Sequence, residues 1–205
     1  MSVSTFAAFW AVSFLFVITP GADWAYAITA GMRGRVVLPA VAGLLGGHLL
    51  ATLFVAAGVG ALVARSPRVL TAMTVVGAGY LIWLGFNLLR RPAQPQAGDA
   101  EHSDSWLRWA AKGACISGLN PKVFLLFLAL LPQFTEPASD WPIPAQMLAL
   151  GLVHTTSCGV VYLLVGYSAE SVLKASPRAA RWVNQCSGAA MMVVGLILLA
   201  EQMFG

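Results

Sequence analysis

Long apolar stretches separated by short polar segments make up almost the whole chain. A helix needs about 20 predominantly apolar residues to cross the hydrocarbon core of a bilayer. Stretches of about that length recur at residues 5–30, 37–63, 69–89, 113–134, 144–169 and 182–203. The pattern therefore predicts an all-α, polytopic membrane protein with six transmembrane helices.

One polar stretch, residues 90–108, interrupts this pattern near the middle of the chain. It contains two prolines, a glycine and three acidic residues, a composition typical of a flexible linker. It is too short and too polar to bury a core of its own. We therefore expect one transmembrane domain, with a first repeat at about residues 1–91, a linker at about 92–108 and a second repeat at about 109–205.

The composition excludes an ordinary soluble domain. Of 205 residues, 59% are hydrophobic and only 10% are charged, and the mean hydropathy is +0.77. Soluble domains carry about 25% charged residues. No Lys or Arg precedes the first apolar stretch, so we expect a retained helix there and not a cleaved signal peptide.

Basic residues are distributed very unevenly among the predicted loops. Nine lie in or beside the loops after helices 1, 3 and 5, two lie in the loop after helix 2, and none lies in the loop after helix 4. By the positive-inside rule, the loops of the first group are cytoplasmic and both termini are periplasmic. The net charge of +4 therefore reflects membrane topology, and we expect no nucleic-acid partner.

Two predicted helices are interrupted near their middles by proline beside an ionisable residue. Helix 1 carries Thr19-Pro20-Gly21-Ala22-Asp23 and helix 4 carries Gly118-Leu119-Asn120-Pro121-Lys122. Freed backbone groups and charges are tolerated in hydrocarbon mainly where a buried polar site or a water-filled cavity needs them. At about 1.5 Å per residue, the two prolines lie about 16 and 13 Å from the cytoplasmic ends, so both breaks are predicted at one depth.

The two halves share a weak internal similarity. Ser66-Pro67-Arg68 opens helix 3 and Ser176-Pro177-Arg178 opens helix 6, and the same offset of 110 residues aligns Gly85 with Gly195. A repeat of three helices must place its copies in opposite orientations, so the sequence predicts two inverted three-helix repeats. The alternative is that Ser-Pro is simply a favourable helix start.

Asp23 and Lys122 supply one charge of each sign at the breaks. Where a broken helix restarts, its free N–H groups favour an anion. Asp23 is predicted to bind an ammonium group, and Lys122 with the N–H groups after Gly21 a carboxylate, which together describe an amino acid. The alternative is that Asp23 and Lys122 form a buried ion pair that joins the two halves without a ligand.

Two histidines, His48 in helix 2 and His154 in helix 5, occupy comparable places in the two halves. Because imidazole exchanges protons near neutral pH, both are candidates for proton coupling, as is Asp23. The alternative is a neutral histidine bonded to a neighbouring backbone. We predict no metal site and no cofactor. Three scattered cysteines are interpreted as small apolar packing residues: Cys115, Cys158 and Cys186.

Four stretches of the chain resemble the LysE/RhtB-type amino-acid exporters of bacteria. Two are the broken-helix motifs, Ile18-Thr19-Pro20-Gly21-Ala22-Asp23 and Gly118-Leu119-Asn120-Pro121-Lys122, the second running on to Leu131-Pro132-Gln133-Phe134. The others are Gly77-Ala78-Gly79-Tyr80-Leu81-Ile82-Trp83-Leu84-Gly85 and the glycine-rich region around Gly43, Gly47 and His48. The resemblance covers essentially the whole chain and is most specific in helix 4.

The resemblance implies a six-helix inner-membrane secondary carrier that exports amino acids in exchange for entering protons. It also implies a substrate-binding core formed by Pro20, Gly21, Asp23, Asn120, Pro121 and Lys122. The chain departs from the family pattern at Ala22, where a second proline is common. The expected partners are an amino acid, protons and the lipid bilayer. The glycines at 43 and 47 form a face for close packing within the chain or in a homodimer.

The sequence also allows other functions to be considered. Heavy-metal efflux would need more carboxylates, thiols or histidines near Asp23 than the sequence places there. A carrier of thiol electrons would need a cysteine at each helix break, and helix 1 contains none. An enzyme is not expected, because no nucleophile, base and orienting group stand at usable spacing.

Overall fold

The computed structural model describes residues 1–63, 67–91, 105–174 and 177–204. Within these residues all regular structure is helical, which confirms the predicted all-α class. The helices are α1 (Val3–Val17), α2 (Ala22–Gly31), α3 (Val37–Val63), α4 (Pro67–Arg90), α5 (Trp106–Gly118), α6 (Pro121–Leu130), α7 (Ile143–Tyr167), α8 (Ala169–Lys174) and α9 (Pro177–Phe204). Ser66, Ser176 and most of the predicted linker, residues 92–104, lie outside the described residues.

The first predicted helix is broken at Pro20, where the axes of α1 and α2 differ by 65°. Proline has no N–H with which to continue a helix, and neighbouring donors take the last carbonyls of α1 instead. Thr19 donates its N–H to the Phe16 carbonyl at 3.3 Å and its hydroxyl to the Leu15 carbonyl at 2.6 Å. The chain therefore turns while these two carbonyls keep hydrogen-bond partners.

The fourth predicted helix is broken in the same way, with a bend of 53° between α5 and α6. Asn120 lies in the bend, and its side-chain oxygen accepts a hydrogen bond from the N–H of Lys122 at 3.0 Å. Pro121 occupies the first position of α6, where a missing N–H costs nothing. The helix restarts with its first donors satisfied, and both predicted breaks are confirmed.

The helices differ in whether they are long enough to span a membrane. Val37–Gly58 of α3 and the whole of α7 are long and apolar enough to cross a bilayer. The two bent pairs, α1 with α2 and α5 with α6, add two spans if each pair counts as one. In α4 and α9 the apolar parts with described side chains, Val75–Asn87 and Gln185–Ala200, are shorter. These candidate spans indicate a multi-pass membrane protein, while the number six stays a prediction.

The second half of the chain becomes helical earlier than predicted. The linker was expected to reach residue 108 and the fourth span to begin at residue 113, whereas α5 begins at Trp106. Ser105 caps this end, because its hydroxyl accepts the N–H of Arg108 at 3.5 Å. The first turn is exposed and Trp109 is fully buried. Because the first turn mixes polar and apolar residues, the length of the apolar sequence does not predict where this helix begins.

Glycines let α3 and α5 approach closely. A Cβ atom on Gly47 would lie 2.6 Å from the Ala114 carbonyl oxygen, and one on Gly113 would lie 2.6 Å from the Ala40 carbonyl oxygen. Gly43 meets the α5 backbone in the same interface. No side chain fits at these distances. The prediction that Gly43 and Gly47 form a packing face within the chain is confirmed.

α4 and α9 pack antiparallel with matching contacts. Gly85 lies against the Gly188 carbonyl, and Gly195 lies against Ala78, whose carbonyl oxygen would be 2.8 Å from an added Cβ. Residues 78 and 85 differ from 188 and 195 by the same 110 positions that relate the two halves of the sequence. The contacts at this interface are therefore reciprocal, as they would be about a local two-fold axis.

Replacing Gly47 by alanine should destabilise the protein. The new methyl group would collide with the α5 backbone, and overpacking of this kind costs about 1–3 kcal/mol. We expect a lower melting temperature in detergent for Gly47→Ala. Gly46→Ala is the matched control, because nothing lies within 4 Å of a Cβ at that neighbouring position. Equal melting temperatures for the two variants would contradict the close contact between α3 and α5.

Candidate functional site

The two helix breaks meet at one cavity inside the bundle. Its wall comes from the end of α1, the break after it, α2, α3, α6 and α7. The lining residues are Phe16, Thr19, Gly21, Ala22, Asp23, Trp24, His48, Asn120, Lys122, Val123, Leu126, His154 and Tyr162. Its free volume is about 30 Å³, which is room for roughly two water molecules.

Most of the residues predicted from the sequence for this site line the cavity. They are Gly21, Asp23, His48, Asn120, Lys122 and His154. The two prolines shape the site through the backbone. Pro20 is buried at the first break, and Pro121 begins α6, with its side chain outside the described part of the structure. The structure thus brings the predicted residues together, and their roles in binding stay predictions.

Asp23 lies in the first turn of α2 and exposes only 6% of its surface. Its Oδ1 accepts a hydrogen bond from the Ser117 hydroxyl on α5, and its Oδ2 accepts one from the Tyr162 hydroxyl on α7, each at 3.1 Å. A buried carboxylate without such partners would be costly. The first turn also places it at the positive end of the α2 dipole. Three helices therefore meet at this carboxylate.

Lys122 brings a positive charge to the same cavity from α6. Its Nζ lies beside Gly21, where an added Cβ would be 3.7 Å away. Lys122 and Asp23 attract each other electrostatically, but the described residues include no ion pair between them within 4.0 Å. The direct buried pair considered from the sequence is therefore not formed, and both charges face the cavity.

The two restarting helices differ in how their first N–H groups are capped. Gly21 at the N-cap of α2 has no side chain to accept a hydrogen bond. At α6, Asn120 accepts the N–H of Lys122 with its side chain and the N–H of Val123 with its carbonyl, both at 3.0 Å. An anion is therefore better accommodated at the start of α2 than at the start of α6.

His48 on α3 has a defined orientation. Its Nδ1 lies 2.9 Å from the Leu44 carbonyl oxygen, which can only accept, so Nδ1 donates a proton to it. The other ring nitrogen, Nε2, lies 3.6 Å from Asp23 Oδ2. In a neutral imidazole this Nε2 is itself an acceptor, so the contact becomes attractive only when a proton occupies it. One proton between His48 Nε2 and Asp23 Oδ2 would therefore turn this contact into an attractive one.

His154 on α7 is buried beside His48. The two rings lie 5.6 Å apart, and the His154 ring packs edge-on against Phe127 at 5.2 Å. In the part of the chain that the structure describes, His154 Nδ1 has no hydrogen-bond partner. The sequence left open that each histidine is neutral and bonded to a helix backbone. Nδ1 of His48 makes such a bond, and Nδ1 of His154 makes none within the described residues.

Cys158 is buried in the apolar core, as the sequence predicts, and it also contacts both histidines. Its Sγ lies 3.4 Å from His154 Nε2 and 3.8 Å from His48 Nε2, and its side chain is fully buried. The contact of Cys158 with the two histidines was not predicted. The missed signal is the spacing on α7, because His154, Cys158 and Tyr162 follow each other every four residues and so share one helix face.

A membrane protein in which two broken helices and buried charges surround a cavity has the architecture of a membrane translocator. Comparison with protein families agrees with this class. The chain belongs to the LysE type translocator family, whose family model matches residues 14–202. The predicted family is confirmed, and with it the prediction that the protein is a transporter and not an enzyme.

Several relatives match most of the chain. An uncharacterized membrane protein of Vibrio cholerae is 31% identical over 205 residues, which cover 97% of this chain and 98% of the relative. A homoserine/homoserine lactone efflux protein of Salmonella typhimurium is 30% identical, covering 85% and 84%. A cysteine/O-acetylserine efflux protein of Salmonella choleraesuis is 25% identical, covering 82% and 85%. No solved structure matches the chain.

Removing the Asn120 cap should weaken the restart of α6. In Asn120→Ala the N–H of Lys122 loses its acceptor, and loss of an N-cap typically costs about 1 kcal/mol. We expect Asn120→Ala to melt at a lower temperature in detergent. Asn120→Ser should stay close to wild type, because its hydroxyl can accept the same hydrogen bond. If both variants melt alike, the cap does not stabilise α6.

Proposed function

We propose that this protein exports an amino acid, or a close analogue, across the inner membrane of a bacterium. The observation that carries the proposal is the meeting of Asp23, Lys122 and the uncapped start of α2 at one buried cavity. Relatives that are homoserine/homoserine lactone, leucine and cysteine/O-acetylserine efflux proteins support the same substrate class. The proposed substrate is a small molecule with an amino group. Most compounds of this class also carry a carboxylate and are therefore zwitterions.

In the proposed binding mode, each end of the substrate meets its own partner. The ammonium group lies at Asp23, whose carboxylate is held in place by Ser117 and Tyr162. The carboxylate group lies between Lys122 and the first N–H groups of α2, a combination of charge and backbone donors that suits an anion. In surroundings poor in water, these contacts are stronger than they would be at a surface.

The small size of the cavity supports a wall that moves during transport. A free volume of about 30 Å³ holds roughly two water molecules, which is less than an amino acid occupies. Phe16, Trp24 and Leu126 form part of the apolar wall. We propose that this wall opens to admit the substrate and then contacts its side chain, so that these residues select the amino acid.

We further propose six transmembrane helices in two inverted repeats, α1 to α4 and α5 to α9, with periplasmic termini. The reciprocal contacts of α4 with α9 and the one broken span in each half support the repeats. The uneven loop charges support the topology. Rocking of one repeat against the other would expose the cavity to one side of the membrane at a time. A homodimer is a separate expectation.

Proton entry is the proposed driving force. A single proton completes the contact between His48 Nε2 and Asp23 Oδ2, and the ammonium group of an arriving substrate would compete with that proton for the carboxylate. After the substrate leaves on the outer side, a proton would return to the same place. His154, beside His48, is the next candidate along the path of the proton.

Asp23→Asn and Lys122→Met should abolish export. Each variant removes one of the two charges proposed to hold the substrate, and loss of a partner to a buried charge costs about 2–5 kcal/mol. Initial efflux rates should therefore fall at least about 30-fold. Efflux from proteoliposomes preloaded with a panel of radiolabelled amino acids measures these rates and identifies the substrate.

Matched controls for this experiment are Asp140→Asn and Lys112→Met. Both remove a charge of the same type from an exposed position that does not line the cavity, and both should export at wild-type rates. Equal yields of monodisperse protein check the folding of all four variants. Wild-type efflux by Asp23→Asn and Lys122→Met would overturn the site. A wild-type protein that exports no amino acid would overturn the function.

An imposed proton gradient should drive export, and the response should require His48. With an acidic exterior, we expect the initial efflux rate of wild-type proteoliposomes to rise several-fold. His48→Asn can still donate to the Leu44 carbonyl, as Asn87 does to the carbonyl four residues before it, but it cannot carry a proton, so its efflux should not respond to the gradient. Circular dichroism checks its helical content. Wild-type efflux that ignores the gradient would contradict proton exchange.

A further inference from the structure

We propose that His48, His154 and Cys158, together with Asp23, form a binding site for a divalent metal ion of the Zn²⁺ type. The two histidines and the cysteine each offer one ligand atom, and these atoms lie within 4.8 Å of one another. All three residues are buried. No metal site was predicted from the sequence, because two histidines with few nearby carboxylates are not a convincing ligand set.

The separations between the donor atoms fit tetrahedral coordination. Around Zn²⁺, with bonds of about 2.0–2.3 Å, neighbouring ligand atoms stand roughly 3.3–3.6 Å apart. Cys158 Sγ is 3.4 Å from His154 Nε2 and 3.8 Å from His48 Nε2. Asp23 Oδ2 is 3.6 Å from His48 Nε2 but is not among the atoms that all lie within 4.8 Å of one another. Asp23 is therefore the candidate fourth ligand, and its carboxylate would have to move towards Cys158 and His154 to bind the same ion. Among the two histidines and the cysteine, little movement is needed to close the ligand atoms around an ion.

Neighbouring groups already orient two of the four ligands. The Leu44 carbonyl accepts the Nδ1 proton of His48 and so leaves Nε2 for a metal. Ser117 and Tyr162 donate to Asp23 and hold its carboxylate beside His48. Partners of this kind fix the tautomer and direction of metal ligands. Two of the proposed ligands are therefore oriented before an ion arrives.

The types of ligand atom select the kind of ion. Two imidazoles, a thiol and a carboxylate suit Zn²⁺ and similar ions, whereas Mg²⁺ and Ca²⁺ prefer oxygen atoms alone. On binding, the Cys158 thiol releases its proton to solvent and its sulfur bonds to the metal as a thiolate. The thiolate and the Asp23 carboxylate then balance the two positive charges of the ion. The four ligands and the ion together carry no net charge, which limits the cost of burying them, and Lys122 remains a separate positive charge at the same cavity.

A metal ion in this position would inhibit export, and this consequence rests on the proposed function. Asp23 would bind the ion and could not then bind the ammonium group of a substrate. Zn²⁺ would therefore slow efflux by occupying the site rather than by damaging the protein. Binding of the metal does not itself depend on transport, so the two are measured separately.

The first experiment measures metal binding to the whole chain, purified in detergent through an affinity tag without histidine. Titration with Co²⁺ should give the visible bands of a tetrahedral ion and a thiolate charge-transfer band, at one ion per chain, and Zn²⁺ should displace both. Cys158→Ser should lose the charge-transfer band. Its affinity for Zn²⁺ should fall at least about tenfold, since even a lost supporting partner costs about 10–100-fold.

Cys115→Ser is the matched control, because Cys115 is an exposed cysteine on α5. This variant should leave the spectrum unchanged. Circular dichroism shows whether both variants fold. A wild-type protein that binds no Co²⁺ or Zn²⁺ at micromolar concentration overturns the site, as does a charge-transfer band that survives in Cys158→Ser. In proteoliposomes, bound Zn²⁺ that leaves efflux unchanged overturns the inhibition. Absence of efflux without metal would instead contradict the proposed function.

Discussion

The carboxylate of Asp23 is the group on which the rest of this structure depends. A charge in the interior of a membrane protein is costly unless hydrogen bonds or an opposite charge offset it. Ser117, Tyr162 and His48 approach this carboxylate from α5, α7 and α3, while Asp23 itself lies on α2. Four helices are therefore fixed relative to one another here. Gly47 makes this possible, because it lets Ser117 lie directly against α3 beside His48.

The two helix breaks perform different tasks although the sequence motifs look alike. Proline ends a helix at both places, but Asn120 closes the start of α6 by accepting its first N–H groups. Gly21 leaves the start of α2 without a side-chain cap. The open helix end and Lys122 then face the same space. In the proposed binding mode, one closed end and one open end would direct a single anion to a single place, which two open ends would not.

Local features of the sequence predicted more of this molecule than long-range ones. Both breaks follow from proline within apolar runs, and the packing of Gly47 follows from residue size, so neither requires knowledge of neighbouring helices. Cys158 and Ser117 are different, since a small polar residue in an apolar helix usually fills space or bonds to its own backbone. Only the crossing of the helices places these two beside His48 and Asp23. The start of α5 was missed because length of apolar sequence does not detect an amphipathic first turn.

Two hydrogen-bond acceptors that face each other, one on Asp23 and one on His48, explain why several positively charged groups could occupy the same site. Asp23 Oδ2 and His48 Nε2 face each other at 3.6 Å, and both are acceptors when no proton lies between them. In surroundings of low dielectric constant, such a contact is unfavourable until a positive charge enters it. A proton, an ammonium group and a metal ion each satisfy this requirement, and they exclude one another because all three need the same carboxylate. In an exporter of the proposed kind, an ammonium group therefore leaves more readily when a proton replaces it, so exchange is favoured over release alone.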